Sequence, residues 1–478
     1  METPERAKRP AARPTTRQKA AEGAPWTSLA ILADDFTGSN DTGVQFAKRG
    51  LPTGVLLDPA QLAAMMSRFA VLAVDTESRF AAPQSAYQAV RKAVLPLVRN
   101  GVASLYKKID STVRGNLGAE ICAVLDGAGL TGALVCPALP AYKRTVEQGN
   151  CLVDGVPIAE TEFGRDPRTP VRTSRIAQII REQCSYAVSE IDLKLVRRGP
   201  RALAAAIDAV WSESRPGIVV VDAVRDADLA TIAQSAGLTA APPLLVGSSG
   251  LAAHLPLPDA AAADTKVPAL AASADRSPAD TQSPRPPCAT ILIAIGSASA
   301  TVAEQIDRAC AARPQLREIV VNPRHALSNE PDEQARITER YLAAVHAGHS
   351  CLVRTERPAV GSAPAADTAE ALARFMGELV CRLWSAAAPA ALVLSGGDTA
   401  VKTAVSLGCA GFSIEAEVLP GIPLGRFISA ASEDRRGDRA ARPPAAALER
   451  MRVVTKAGAF GPPDALLAIL QYLEEHRP

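Results

Sequence analysis

Short apolar, β-branched runs alternate with helix-length amphipathic stretches along most of this chain, and that alternation narrows the fold more than any other feature. Segments 29–33, 71–75, 102–107, 133–137, 217–222 and 244–247 read as strands. Helical patterns such as 84–99, 116–126 and 201–212 separate them. Strand–helix–strand succession favours a parallel sheet with helices on its faces. From 255 to 287 the sequence turns to Ala, Pro, Asp and Ser, which bury little apolar surface and read as a linker or exposed excursion. The alternation then restarts, with strands at 290–295, 318–322, 351–354 and 391–395 and helices at 301–312, 333–347, 368–386 and 399–407. A charged, Pro-containing excursion covers 432–450. The expectation is an α/β protein of two α/β domains, 26–254 and 288–478, with mainly parallel sheets and a cleft between them. Residues 1–25 read as a disordered basic tail.

Composition excludes several classes. The formal net charge is only +2, which gives no strong global field for nucleic acid or an acidic membrane. No run of about 18 uncharged apolar residues suggests a transmembrane span. The first 25 residues lack the apolar core of a secretory signal. Their cations, Arg6, Lys8, Arg9, Arg13, Arg17 and Lys19, have no interleaved aromatics to stack bases. Nine cysteines include no CxxC pair, and Cys122, Cys136, Cys351 and Cys381 lie in apolar surroundings. That predicts reduced, buried thiols in a cytoplasmic protein. His346 and His349 have no adjacent acidic or Cys partner for zinc, and no GxSxG elbow occurs.

Three polar segments at predicted strand ends carry chemistry. The first, ADDFTGSNDTG (33–43), places Asp34, Asp35 and Asp41 within eight residues. Such acids repel unless a cation, a basic side chain or a hydroxyl-rich ligand sits among them. The alternative is a turn with an Asp helix cap, and a helical pattern follows from about Val44. The second, KKIDSTVRGN (107–116), packs Lys108, Asp110, Ser111 and Arg114 around Ile109 at a strand-to-helix loop, and Arg79 follows another strand. Cations there suit a carboxylate or phosphate, and Asp suits hydroxyls. The third, SGGDT (395–399), opens a helix after an apolar run. Gly396 and Gly397 allow close backbone approach to a phosphate, while Asp398 or Thr399 could simply cap the helix. GSAS (296–299), PGIPLG (420–425) and TKAGAFG (455–461) repeat the Gly-bearing pattern, and Lys456 in the last could neutralise phosphate.

Together these motifs, with CPALPAYKRTVEQGNCLVDGVPIAETEFGRDPRTPV (136–171), resemble the four-carbon acid sugar kinase family across nearly the whole chain beyond the tail. GSNDTG after ADDFT resembles the D-threonate-phosphorylating members most. The resemblance implies an acid-sugar-binding first domain, a nucleotide-binding second domain, and ATP- and Mg²⁺-dependent phosphorylation of a terminal hydroxyl. Its alternatives are a kinase for D-erythronate or 3-oxo-tetronate, or a non-catalytic sugar-acid-binding regulator. Carried onto these positions, Asp35, Arg79, Lys108, Ile109, Asp110, Ser111 and Arg114 would hold the acid, with Arg79 and Lys108 on its carboxylate. Ser297 or Ser299, Gly396, Gly397, Asp398, Thr399, Gly421 and Gly458 would hold ATP. Asp35, Asp110 or Asp398 would activate the hydroxyl or position Mg²⁺, and the metal ligands stay unassigned. Homodimerisation is a family-level expectation. No nucleic-acid or membrane partner is implied.

Overall fold

The computed structural model describes residues 27–166, 168–213, 216–256, 290–296, 299–328, 330–356, 366–430, 443–458 and 460–476. The basic tail and nearly all of 255–287 lie outside these residues. In the first half the strands are β1 (Leu29–Ala33), β2 (Thr53–Leu56), β3 (Val71–Asp75), β4 (Ser104–Lys108), β5 (Gly132–Cys136), β6 (Arg144–Glu147), β7 (Asn150–Val153), β8 (Val156–Pro157), β9 (Ala187–Ile191), β10 (Gly217–Val221) and β11 (Leu244–Gly247). The second half adds β12 (Ile291–Ile295), β13 (Arg317–Val321), β14 (Cys351–Thr355), β15 (Ala391–Ser395), β16 (Cys409–Leu419), β17 (Ile422–Ser429) and β18 (Arg452–Lys456).

The two halves share one 15-stranded sheet, ordered β13-β14-β12-β15-β18-β17-β16-β2-β3-β1-β4-β11-β5-β10-β9. Pairing is parallel on both sides of an antiparallel hairpin, β16–β17. The hairpin joins β18 through β17 and β2 through β16. Its turn, Pro420-Gly421, reads in the sequence only as a glycine loop, and Gly421, at φ +72°, turns the chain between two long strands. β6, β7 and β8 form a separate small sheet over the first half.

Burial follows the strand period of two. In β12, Leu292 and Ala294 join a large apolar cluster that runs through both halves, while Ile291, Ile293 and Ile295 join a second cluster on the opposite face. Phe412 of β16 meets Phe36 and Phe427 edge-on, with centroids 6.3 and 5.8 Å away, so the large cluster crosses the junction.

Three expectations need correction. The helix after β1 starts at Phe36, not near Val44, and spans Phe36–Ala47. Its Gly, Ser, Asn, Asp and Thr are weak helix formers and disguise it. Gly43 is there for packing, since a Cβ would stand 2.6 Å from Ile414 Cδ1 of β16. Cys122 is not a free thiol but is disulfide-bonded to Cys184, 62 residues on, while Cys136, Cys351 and Cys381 are free and buried. Residues 445–450 of the second excursion form a helix, Ala445–Arg450. No helix among the described residues is long and apolar enough to cross a membrane.

Gly411 tests the junction. A Cβ there would press on the Val55 carbonyl oxygen and stand 2.6 Å from Met65 Cε. Gly411→Val should cost about 1–3 kcal/mol of stability. Urea unfolding followed by circular dichroism reads this, and an unchanged midpoint would mean the β2–β16 contact tolerates the extra volume.

Candidate active site

β3, β1 and β4 are neighbours in the sheet, so the loops after their carboxyl ends converge. β4 separates two adjacent lysines by strand alternation. Lys107 points inward, fully buried, and pairs with Glu120 at 2.8 Å. It also donates to the Leu32 and Lys108 carbonyls, at 3.2 and 2.7 Å. Ser78 donates to the other Glu120 oxygen at 2.6 Å. Lys108 faces a cleft, and its Nζ donates to the Ile109 carbonyl at 2.9 Å. A Cβ on Gly38 would stand 2.7 Å from Asp35 Oδ1 and 3.0 Å from Lys108 Nζ, so glycine lets these groups meet the start of the helix.

Arg79 is buried and holds the two acids at the end of β1. Its Nε and Nη2 donate to both oxygens of Asp34, at 2.7 and 2.8 Å, and its Nη1 donates to Asp35 Oδ2. Asp35 Oδ1 accepts from Gly38 N at 2.7 Å and caps the helix. The cap and the ligand-site readings of Asp35 therefore describe the same side chain. Burial favours protonation of Asp34, but Arg79, then Lys107 and Lys108, outweigh it and hold Asp34 below the usual carboxylate range. At Asp35 burial wins over Arg79, with Asp34 adding repulsion, and its pKa is raised.

The loop after β4 is tied down tightly. Asn116 Nδ2 bridges the Ser78 and Ala81 carbonyls, at 2.9 and 2.8 Å. Val113 is held at φ +51°, an unfavourable region for a β-branched residue. Asp110 accepts from Arg114 Nε at 2.6 Å and from Thr112. Burial would raise its pKa, yet Arg114, Arg79 and Arg144 keep it well below the usual value. Arg144 donates to Ser111 Oγ, and Arg114 and Arg144 both lie over the Phe163 ring, at 5.4 and 5.8 Å. Arg144 and Phe163 were missed as site residues. The motif at 136–171 contains them, but Arg144 reaches the cleft from β6 and Phe163 from the short 3₁₀ turn Glu162–Arg165 that follows the small sheet.

The second half supplies the facing wall. Gly396 (φ +115°) opens the helix Gly397–Leu407, and the buried Thr399 hydroxyl fills the space beside Gly296. A Cβ on Gly397 would stand 2.8 Å from Thr37 Oγ1, so the helices Phe36–Ala47 and Gly397–Leu407 begin beside each other. A Cβ on Gly421 would lie 3.2 Å from Asp41 Oδ1. Asp41 also has a raised pKa, chiefly from burial.

One cleft of about 1160 Å³ contains Asp35, Arg79, Lys108, Asp110, Ser111 and Arg114 from the first half. Gly396, Gly397, Asp398, Thr399, Gly421 and Gly458 line it from the second. Ile109 does not face it, because its side chain is buried core and only its carbonyl serves Lys108. Ser299 caps the helix Ala300–Ala312 and is not part of the lining, while Ser297 lies outside the described residues. Lys456 turns away from phosphate duty. It is buried, donates to the Ala457, Gly458 and Phe460 carbonyls at 2.9, 2.6 and 3.1 Å, and burial lowers its pKa to about 7. Ser39, Asn40 and Thr42 are also buried, leaving Asp41 as the cleft residue of that stretch. Among the described residues no cluster of three or more His, Cys, Asp or Glu could hold a metal alone.

Residues 29–255 match a sugar-binding N-terminal domain and residues 292–466 a nucleotide-binding C-terminal domain. A sugar-binding domain joined to a nucleotide-binding domain is the arrangement of a sugar kinase. The chain is 36% identical to the D-threonate kinase of Salmonella typhimurium, over 94% of this chain and 98% of that one. It is 29% identical to the D-erythronate kinase of Heliobacterium modesticaldum, over 94% and 97% of the two chains. The chain belongs to the four-carbon acid sugar kinase family. A crystal structure of a Haemophilus influenzae protein, 22% identical, superposes with a TM-score of 0.66 over 93% of this chain and 99% of that one, and shares the fold.

The Arg79 cluster makes a stability prediction. Arg79→Ala leaves Asp34 buried without its fork, and should cost about 3–5 kcal/mol. Arg79→Lys should recover only part, because a single ammonium cannot reproduce the bidentate contact. Chemical denaturation of both variants reads this, and wild-type stability in Arg79→Ala would dismiss the structural role.

Proposed function

We propose that this enzyme transfers the γ-phosphoryl group of ATP to the terminal hydroxyl of D-threonate, giving 4-phospho-D-threonate and ADP. The observation that carries the reading is the meeting of two helix starts, at Phe36 and Gly397, in one cleft with Asp35 beside them. Helix N-termini present unpaired N–H groups and a positive dipole end, which suit a phosphoryl group passing between the halves. The similarity to a D-threonate kinase supports the choice of acid.

Each residue then has a task. Lys108, Arg144 and Ser111 surround the place for the substrate carboxylate. Asp110, kept ionised by its arginines, accepts from substrate hydroxyls. Arg79 has committed three donors to Asp34 and Asp35, so it serves chiefly by holding those acids in place. Asp35 is the best placed base, since it combines a raised pKa with a side chain that is 25% exposed at the cleft. The terminal hydroxyl oxygen bonds to the γ-phosphorus and its proton passes to Asp35. The bond to the β–γ bridging oxygen breaks, and its electron pair leaves with ADP. Gly396, Gly397 and Thr399 receive the phosphates. Asp398, 56% exposed in the first helical turn, is the carboxylate that would accompany Mg²⁺. One carboxylate suits Mg²⁺, which keeps waters and takes further ligands from substrate phosphates and neutralises their charge.

A coupled ADP assay over a panel of four-carbon acids tests the reading. D-Threonate should show the highest kcat/KM. A higher value for D-erythronate would overturn the substrate, and no ADP release with any acid would overturn the kinase. The same assay over pH tests Asp35. A base must be deprotonated, so activity should fall as pH drops through its pKa. The raised Asp35 pKa places this acid limb above the ordinary Asp value of about 3.9. Asp35→Asn should lower kcat by about 10²–10⁴-fold and remove that limb.

A further inference from the structure

The nucleotide loop carries no cationic side chain of its own. Ser395–Thr399 contains one acid and no basic side chain. Lys456, the lysine of the neighbouring glycine loop, spends its donors on three carbonyls of its own loop. Lys402, in the helix behind the loop, pairs with Glu370 at 3.3 Å. Transferring phosphoryl groups carry charge on three equatorial oxygens and are commonly stabilised by an arginine.

The first half supplies a candidate. Arg168 is not itself part of the cleft lining but touches two lining residues, Phe80 and Asp398, and its Nη1 lies 3.4 Å from Asp398 Oδ2 in the first turn of the helix Gly397–Leu407. Its guanidinium carbon stands 3.5 Å from the centroid of the Phe80 ring, so an aromatic face supports the group from one side. Its backbone is anchored too. Arg168 N and Thr169 N both donate to Asp166 Oδ1 at 2.9 Å, and Asp166 Oδ2 accepts from Arg114 Nη1 at 3.2 Å. Arg114 in turn grips Asp110. Ion pairs and backbone hydrogen bonds thus connect the proposed hydroxyl-binding acid to the nucleotide loop. The Arg168–Asp398 pair is 36% and 56% exposed, and such pairs contribute little to stability. The stacking and the anchoring therefore call for a purpose other than the ion pair itself.

We infer that Arg168 is a catalytic arginine, supplied by the sugar half, that binds the transferred phosphoryl group and stabilises the charge on its equatorial oxygens. The inference rests on the kinase reading above. The contact with Asp398 sets the guanidinium beside the first turn of the helix Gly397–Leu407. Asp398 would be the carboxylate to accompany Mg²⁺ there, and the Arg168 donors serve the γ-phosphoryl. Phe80 holds the guanidinium plane throughout.

The test combines kinetics with calorimetry on the full-length enzyme. Arg168→Ala should lower kcat by at least about 10²-fold, with the KM for the acid within about threefold and the melting temperature unchanged. Added guanidinium ion should restore part of the activity in Arg168→Ala and none in wild type. Arg168→Lys should recover only part, because the planar fork is lost. A kcat for Arg168→Ala within about threefold of wild type overturns the inference. So does a larger kcat loss in Arg324→Ala, since Arg324 is the lining arginine of the second half among the described residues. Calorimetric titration with Mg-ATP and Mg-ADP needs no acid substrate and separates this inference from the kinase reading. Arg168→Ala should weaken ATP by about tenfold relative to ADP, and an unchanged ATP-to-ADP ratio overturns the inference even if the acid panel gives no turnover.

Discussion

Two consecutive carboxylates at the end of β1, Asp34 buried and Asp35 part-buried at the cleft, could not sit side by side without Arg79. Its guanidinium grips Asp34 with two donors and Asp35 with a third. That single group fixes three things at once. It holds the loop after β3 against β1, it keeps Asp34 ionised in the interior, and it leaves Asp35 oriented at the start of a helix. Lys107 and Glu120 repeat the device one strand away, with a buried ammonium satisfied by a carboxylate and two carbonyls. Buried ion pairs of this sort seldom add much net stability, since desolvation offsets their attraction. Their effect is to forbid other arrangements. Any shift of β1, β3 or β4 would leave a charge unpaired in an apolar surrounding.

The same economy explains the difference between the acids. Asp34, Asp35 and Asp110 lie in one neighbourhood, but their cations are unevenly shared. Arg79 gives its fork to Asp34, and Arg114 gives its Nε to Asp110, so both stay below the usual range. Asp35 receives one guanidinium donor and one backbone N–H while Asp34 repels it, and burial then dominates. An enzyme that needs one acceptor for a proton and another that stays ionised obtains both by dividing its arginines.

Much of this was legible in the sequence because strand ends and helix starts leave local signatures. β1, β3, β11 and β15 fall where their apolar runs fall, and the polar loops after β1, β4 and β15 line the cleft as their composition suggested. What stayed hidden depends on partners distant in sequence. The helix from Phe36 reads as a loop because its glycines answer to β16 and Lys108, not to helix propensity. Cys122 looks like a lone core thiol until the segment carrying Cys184 packs beside it. Arg144 needs the small sheet, and Phe163 the short turn that follows it. Lys456 looked like a phosphate ligand, and nothing in TKAGAFG tells that its ammonium closes its own loop.

The junction sets the terms on which the halves can move. An enzyme with two sites on opposite walls must shut water out during transfer, which suggests a hinge. Here the walls share backbone hydrogen bonds through β2 and β16, and one apolar cluster runs beneath both. A wide rigid-body opening would break that ladder and expose Phe36 and Phe412. Closure is therefore expected at the rim. Tyr142 already donates to the Pro420 carbonyl at 3.0 Å and lies against the Phe460 ring at 4.7 Å, and Arg168 already meets Asp398. These contacts join loops and a helix start rather than strands, so they can loosen and re-form while the sheet stays whole.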